Sequence, residues 1–244
     1  MIAQVYEETV RLWTPDSEAA LRQCGQAAAY GTDLPFLRFY ADDHGNRLSL
    51  FDGAASLHAV GDIEEMLLFL TMDPSVRAVR TDAETARRLA VMWEAPLETE
   101  AVMRAPENAV SQGTAELTAL RDIYDVLTEG FGHNVMPPFE MWYADVHHRY
   151  RRGRCRAVSV KEDGVPQACA MTVSECDSAA LIGAVATRPT ARGKGYASSC
   201  VLQLASMLQS EGKTVWLSPK NAYAHALYER LGFSTVGEWG SVKR

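Results

Sequence analysis

The residues with the clearest chemical potential lie in one segment, residues 185–198 (VATRPTARGKGYAS). An apolar, strand-like run turns here through residues 192–195 (RGKG) into a helical pattern. Glycine permits the tight turn in which successive N–H groups converge, and the first turn of a helix offers further unpaired amides. The segment therefore predicts a cradle for an anion such as a pyrophosphate, with the charges of Arg192 and Lys194 beside it.

Three other interpretations of this glycine-containing turn can be compared with the sequence. On its own, such a turn is also typical of an ordinary strand-to-helix connection with solvated basic residues. A Walker loop requires GxxxxGK[ST], which the sequence lacks. A dinucleotide fingerprint requires GxGxxG, and Gly193, Gly195 and Ser198 do not complete it.

A second patterned segment, residues 221–233 (NAYAHALYERLGF), follows after one predicted helix and one predicted strand. Together the two segments resemble the GNAT superfamily of N-acyltransferases. Residues 192–197 (RGKGYA) are similar to its [RQ]-x-x-G-x-[GA] signature, and residues 221–233 are similar to its N-x-x-A-x-x-L-Y-x-x-x-G-F helix. The resemblance covers residues 115–244 and looks closest to the glycine-N-acyltransferase-like branch.

The resemblance implies a site for acetyl-CoA, with a role for each matching residue. The exposed backbone of Val185, Ala186 and Thr187 would pair with the pantetheine amides as another strand would. Asn221 would contact the CoA arm, and Tyr228 would stand near the sulfur as a proton donor, since a phenol is normally protonated at neutral pH. The pyrophosphate would be bound by the amides of Arg192, Gly193, Lys194, Gly195, Tyr196, Ala197 and Ser198.

The reaction implied is direct attack of a neutral amine on the thioester, with the carbonyl polarised by a strand N–H such as that of Val185. No metal is required. The general base is left open between Glu129, His133, Glu175 and water. The expected acceptor is a primary amine of a small molecule, an amino acid or a peptide. A non-catalytic acyl-CoA-binding or regulatory module, and a transferase for a longer acyl group, are the alternatives.

The elements that must position these residues follow from apolar spacing. Leu117, Leu120, Tyr124 and Leu127 recur at helical intervals, and residues 139–150 repeat the pattern after a loop. Three strands near residues 156–161, 167–173 and 179–186 follow. A helix, a strand, a second helix and a last strand at residues 233–239 complete the order. The predicted order is ααβββαβαβ. The fold class is α/β (α+β), with the GNAT fold implied by the resemblance: a central, mostly antiparallel mixed sheet flanked by helices.

A polar stretch at residues 105–114 (APENAVSQGT) marks a domain boundary. We expect an N-terminal α+β domain over residues 1–107 and the catalytic domain over residues 108–244. Upstream, the patterns predict a hairpin around His44, a helix at residues 63–70, a strand at residues 76–82 and a helix at residues 83–93. This order resembles a degenerate or divergent GNAT-like half without a glycine-rich turn, so one CoA per chain is expected.

Composition narrows the remaining possibilities. With 47% hydrophobic and 23% charged residues among 244, the chain is of the globular class, and its net charge of −7 disfavours nucleic acid as a partner. No apolar run is long enough to cross a bilayer, so no membrane partner and a cytoplasmic location are expected. The oligomeric state is left open between monomer and homodimer. Scattered reduced thiols are expected of Cys24, Cys155, Cys169, Cys176 and Cys200.

Overall fold

The computed structural model describes residues 1–111, 113–132 and 134–244. The chain forms two compact units, of which the first contains Met1–Val102 together with Val236–Arg244, and the second contains Met103–Thr235. The sequence analysis placed its boundary between residues 107 and 108. It did not anticipate that residues 236–244 return to the first unit.

Both halves of the chain are built from alternating strands and helices. The first half contains β1 (Ala3–Val5), α1 (Glu7–Val10), α2 (Glu18–Tyr30), β2 (Leu37–Ala41), β3 (Arg47–Phe51), β4 (Ala54–His58), α3 (Glu64–Met72), β5 (Ala78–Asp82), α4 (Ala83–Trp93) and β6 (Leu97–Arg104). The second half contains β7 (Glu116–Leu117), α5 (Leu120–Phe131), α6 (Phe139–Arg151), β8 (Ala157–Glu162), β9 (Val165–Glu175), β10 (Ala179–Thr187), a 3₁₀ turn (Pro189–Ala191), α7 (Tyr196–Ser210), β11 (Thr214–Leu217), α8 (Ala222–Arg230) and β12 (Ser234–Lys243).

The two halves share one order of elements: a strand, two helices, three strands, then helix, strand, helix and strand. The order predicted for the second half is confirmed from α5 onward, and the short strand β7 precedes it. In the first half, the hairpin of β2 and β3, the strand β5 and the helices α3 and α4 are confirmed. The elements β1, α1, α2, β4 and β6 were not predicted from the sequence. The mixed α/β class with helices on the sheet is confirmed.

Each unit contains strand residues that the repeat order assigns to the other half: the end of β6 in the second unit and most of β12 in the first. In the second unit the strands follow the order β7-β8-β9-β10-β11, and β11 then pairs with the end of β6 through Leu217↔Met103 and Trp216↔Arg104. In the first unit the order is β1-β2-β3-β4-β5, and β5 then pairs with β12 at residues 239–243. We call this arrangement the strand exchange. The neighbouring pairs β4–β5 and β10–β11 are parallel.

Hydrophobic residues cover both faces of the second unit's sheet. Alternate strand residues such as Val158 and Val160 pack under α7, whereas Ala157 points to the opposite cluster under α5 and α6. Of the residues that predicted the first helix, Leu120 and Leu127 lie in the cluster under α5, whereas Leu117 is exposed on the short strand β7. The residues of α7 in these clusters are Cys200, Val201, Leu204, Ala205 and Leu208, and those of α5 are Leu120, Ile123, Val126 and Leu127.

Residues at the β8–β9 turn and at the start of α8 determine where these elements end and begin. The turn between β8 and β9 has positive φ at Asp163 (49°) and Gly164 (79°), as a two-residue hairpin requires. Asn221 begins α8 by accepting a hydrogen bond from the Ala224 N–H at 2.9 Å. Among the helices of the described residues, none is long and apolar enough to cross a lipid bilayer.

Candidate active site

The candidate site starts at an irregularity in β10. The register against β9 shifts between Gly183 and Ala186, and Ala184 has a positive φ of 47°. Such a bulge inserts one residue and reverses the faces of the residues after it. Ile182 accordingly packs with the cluster under α7, whereas Ala186 packs with the cluster under α5.

The bulge also separates β10 from its other neighbour. In the described part of the chain, the pairing of β10 with β11 ends at Ile182↔Leu217, while its pairing with β9 continues to Thr187↔Ala168. The backbone of Val185, Ala186 and Thr187 thus runs on as a strand with β9 on one side. An extended amide-bearing ligand could add to the other side as a further strand.

The chain turns from β10 into α7 through two left-handed glycines. Gly193 has a φ of 81° and Gly195 a φ of 79°, and α7 begins at Tyr196 directly after Gly195. A Cβ atom built on either glycine would meet nothing within 4 Å, so the approach to their backbone is open. The amides of Tyr196, Ala197 and Ser198 form the first helical turn, where an anion gains about 0.3–1 kcal/mol from the helix dipole. This geometry fits a diphosphate group.

The two basic side chains of the cradle have different partners. Lys194 Nζ donates to Glu162 Oε1 at 2.8 Å, and the Tyr196 hydroxyl donates to the same oxygen. These hydrogen bonds, the one from Lys194 first, hold the pKa of Glu162 below its usual value. Arg192 Nη2 lies 3.4 Å from the main-chain oxygen of Gly130. Of the two cations, Lys194 is therefore the one bound to a carboxylate.

Tyr228 lies on α8 with 6% of its surface exposed, and it packs in the cluster under α7 with its ring 6.0 Å from that of Phe233. Burial raises its pKa to about 12, so the phenol carries its proton throughout the neutral range. Asn221 is exposed, and its Oδ1 caps α8. Its predicted contact with CoA stays a prediction.

The three candidate bases lie in different surroundings. Glu129 forms an ion pair with Arg188, whose Nε also donates to Pro166 O at 2.8 Å. Glu175 is buried near the start of β10, where Arg156 and Lys213 Nζ lie 2.5 and 3.6 Å from its Oε1. Glu175 pairs with Ala180, three residues before the register shift that begins at Gly183, and its role as a base stays a prediction. His133 lies outside the described residues.

The end of α5 reaches the bulge directly. A Cβ atom on Gly130 would lie 2.8 Å from the Cβ of Ala186, which is too close for any side chain. Glycine at this position therefore lets the helix approach the strand, and the ion pair of Glu129 with Arg188 lies beside this contact in the chain. Sequence reasoning did not single out Gly130, Arg188 or Glu162, because no local pattern marks a residue whose partner is distant in sequence.

Cys155, Cys200 and His147 lie in structural surroundings. Burial raises the pKa of Cys155 to about 11 and that of Cys200 to about 12, which favours the unreactive thiol. His147 stacks on Tyr143 with ring centroids 5.2 Å apart. Across residues 1–111, 113–132 and 134–244, no three His, Cys, Asp or Glu residues are grouped so as to hold a metal ion.

The matching turn in the first unit, between β4 and α3, is satisfied by its own side chains. Buried Asn46 accepts hydrogen bonds from Val60 N (2.8 Å) and Gly61 N (3.1 Å). Asp62 Oδ1 accepts from the N–H of Glu64, the first residue of α3, at 3.0 Å. The sequence predicted no glycine-rich turn in this half, and Gly61 was not recognised as part of the turn. Side-chain oxygens thus accept hydrogen bonds from the main-chain amides of this turn, whereas no side chain among the described residues caps the start of α7 in the second unit.

Comparison with known proteins bears on the same segment. Residues 118–233 match the family model described as "Acetyltransferase (GNAT) family", and no curated protein matches the sequence. A GCN5-related N-acetyltransferase from Kribbella flavida is similar at TM-score 0.67 and 14% identity, covering 94% of this chain and 96% of its own. One from Sphaerobacter thermophilus has TM-score 0.60 and 17% identity, covering 100% and 95%.

A tandem GNAT protein from the clavulanic acid biosynthesis pathway is similar at TM-score 0.56 and 15% identity, covering 100% of this chain and 98% of its own. At these identities the likeness shows the fold, and it extends over both halves. Assignment to the glycine-N-acyltransferase-like branch stays a prediction. Residues 118–233 match the model of the GNAT acetyltransferase family, and the whole chain has the fold of these GNAT structures.

Proposed function

We propose that the second unit transfers the acetyl group of acetyl-CoA to a primary amine of a small molecule, an amino acid or a peptide. The observation that carries the proposal is the junction of the bulged strand β10 with the open glycine cradle before α7. An acyl-CoA has an extended arm with two amides and a diphosphate, and these are the two groups that an unpaired strand edge and a helix N-terminus bind.

Acetyl-CoA, when bound, supplies a thioester whose C–S bond breaks as the C–N bond to the amine forms. The N–H of Val185 would polarise the carbonyl, and the Tyr228 hydroxyl would give its proton to the departing sulfur. The amine proton would leave through water, or through Glu129 once its pair with Arg188 opens. Gly130 lets the end of α5 lie close to the bulge, where this helix end would border the acceptor.

The first unit we propose to be a degenerate GNAT-like half that has no cofactor of its own. Asn46 and Asp62 hold the amides of its turn, and α3 begins with the acidic residues Glu64 and Glu65, which repel phosphate. Its contribution would be structural, since it contains β12 and thereby anchors the chain that follows Tyr228 and α8.

The test is release of free CoA from acetyl-CoA across a library of primary amines, with mass spectrometry of the products. We expect a gain of one acetyl group on a subset of the amines. The matched control is the Gly195→Val variant, which should be inactive with every amine. Calorimetric binding of CoA without turnover on any amine would favour the non-catalytic CoA-binding module instead.

A further inference from the structure

Glu162 contacts the cradle from outside both signature segments. It is the last residue of β8, and its Oε1 accepts hydrogen bonds from Lys194 and Tyr196, the residues on either side of Gly195. Lys194 Nζ also lies 5.7 Å from the centre of the Tyr196 ring. One carboxylate oxygen thus holds two of the side chains that border the proposed phosphate position.

The contact leaves the cradle with an uneven distribution of charge. Lys194 lies between two glycines of open approach, where its ammonium could reach a phosphate, yet it is bound to a carboxylate. Arg192 instead contacts a main-chain oxygen, that of Gly130, at 3.4 Å. The side chains of Lys194 and Glu162 are 48% and 40% exposed, so their pair opens at little cost.

We propose that Glu162 is an internal competitor for the cofactor phosphates: it occupies Lys194 and thereby lowers the affinity of the cradle for CoA. The proposal rests on the proposed function, because it concerns the same site. Arg192 and the backbone amides then supply the binding of the diphosphate. Lys194 contributes to it only in the fraction of molecules in which its pair with Glu162 has opened.

The experiment is a double-mutant cycle on Glu162 and Lys194, read by calorimetric titration with CoA. Glu162→Gln removes the charge but keeps an oxygen that can accept from Tyr196, so the position of the loop is preserved. We expect it to tighten CoA binding by about three- to tenfold, the effect of freeing one exposed charge near a phosphate. In the Lys194→Ala background the same change should bring no gain.

The control is Glu116→Gln, which removes an equally negative residue paired with Lys161 at 3.1 Å, away from the cradle, and should leave CoA affinity unaltered. A gain that persists in the Lys194→Ala background would overturn the proposal, because it would reflect general repulsion. Weaker binding in Glu162→Gln would also overturn it, since Glu162 would then be a positioning residue. Absence of CoA binding in the unaltered protein would refute the proposed function itself, so the two failures are distinguishable.

Discussion

Replacing Tyr228 with Phe separates the chemistry of the phenol from its packing. The ring is 6% exposed and lies among apolar residues under α7, so Phe fills the same space. The loss is the hydroxyl that we propose gives its proton to the thiolate. General acids typically contribute at least tenfold, so turnover should fall by roughly ten- to a thousandfold while CoA affinity is nearly preserved.

The same variant has a second, independent readout in alkaline solution. The folded pKa of Tyr228 is about 12, and the unfolded chain has the ordinary value of 10.0. Below pH 10 the phenol is protonated in both states, so this pKa difference does not make the free energy of unfolding depend on pH. As pH rises from 10 to about 12, the free energy of unfolding falls. Two pKa units correspond to about 2–3 kcal/mol, and this loss should be absent from the Phe variant.

The assays are steady-state turnover with CoA titration at neutral pH, and urea unfolding at neutral and strongly alkaline pH. Tyr40→Phe is the matched control, since Tyr40 is 9% exposed in the core of the first unit and should leave turnover unaltered. Full activity of Tyr228→Phe would reduce Tyr228 to a packing residue. An unchanged alkaline stability would show that the phenol is solvated, contrary to the structure.

Three further predictions test the cradle, the number of cofactor sites and the exchanged strand. Gly195→Val should abolish CoA binding in calorimetry, because a β-branched residue is strained at a φ of 79° and would displace the backbone of the cradle. The circular dichroism spectrum should not change, because the added Cβ meets nothing within 4 Å. Unchanged affinity would refute the phosphate assignment. CoA should bind with a stoichiometry of one per chain, and a value near two would show that the turn held by Asn46 opens. Arg244→Ala should lower the free energy of unfolding in urea by about 2–4 kcal/mol, and Arg244→Lys by less. The reason is that the guanidinium donates to four main-chain oxygens around the end of α3 and lies over Trp93. A loss below about 0.5 kcal/mol, typical of a surface change, would contradict these contacts.

What could be predicted from the sequence is what is encoded locally. The cradle glycines Gly193 and Gly195 are constrained by their own φ angles, and α7 carries its core residues at regular spacing. Helix α2 was missed because its buried positions include alanines together with Glu18 and Gln23, which leave little apolar periodicity. Gln23 belongs in the core because its amide donates to two main-chain oxygens, those of Arg47 and Ser56, each at 2.8 Å.

Non-local features could not be predicted in this way. The contact of Gly130 with Ala186 and the pair of Glu162 with Lys194 join residues that are far apart in the chain, and no short window contains both members. The last strand was predicted to span residues 233–239. The structure extends it to Lys243, because residues 239–243 pair with β5. An apolar pattern predicts that a strand exists, but it does not identify the strand with which it pairs.

The strand exchange has a consequence for folding during synthesis. Nascent domains usually fold in the order in which the ribosome releases them, at about 5–20 residues per second. Here the pairing of β5 with residues 239–243 and the burial of Val242 in the core of the first unit must wait until those residues have been made. By contrast, Met103 and Arg104 are available to β11 as soon as β11 emerges. The half that is synthesised first is therefore completed last, and β5 waits on the order of ten seconds for its partner strand.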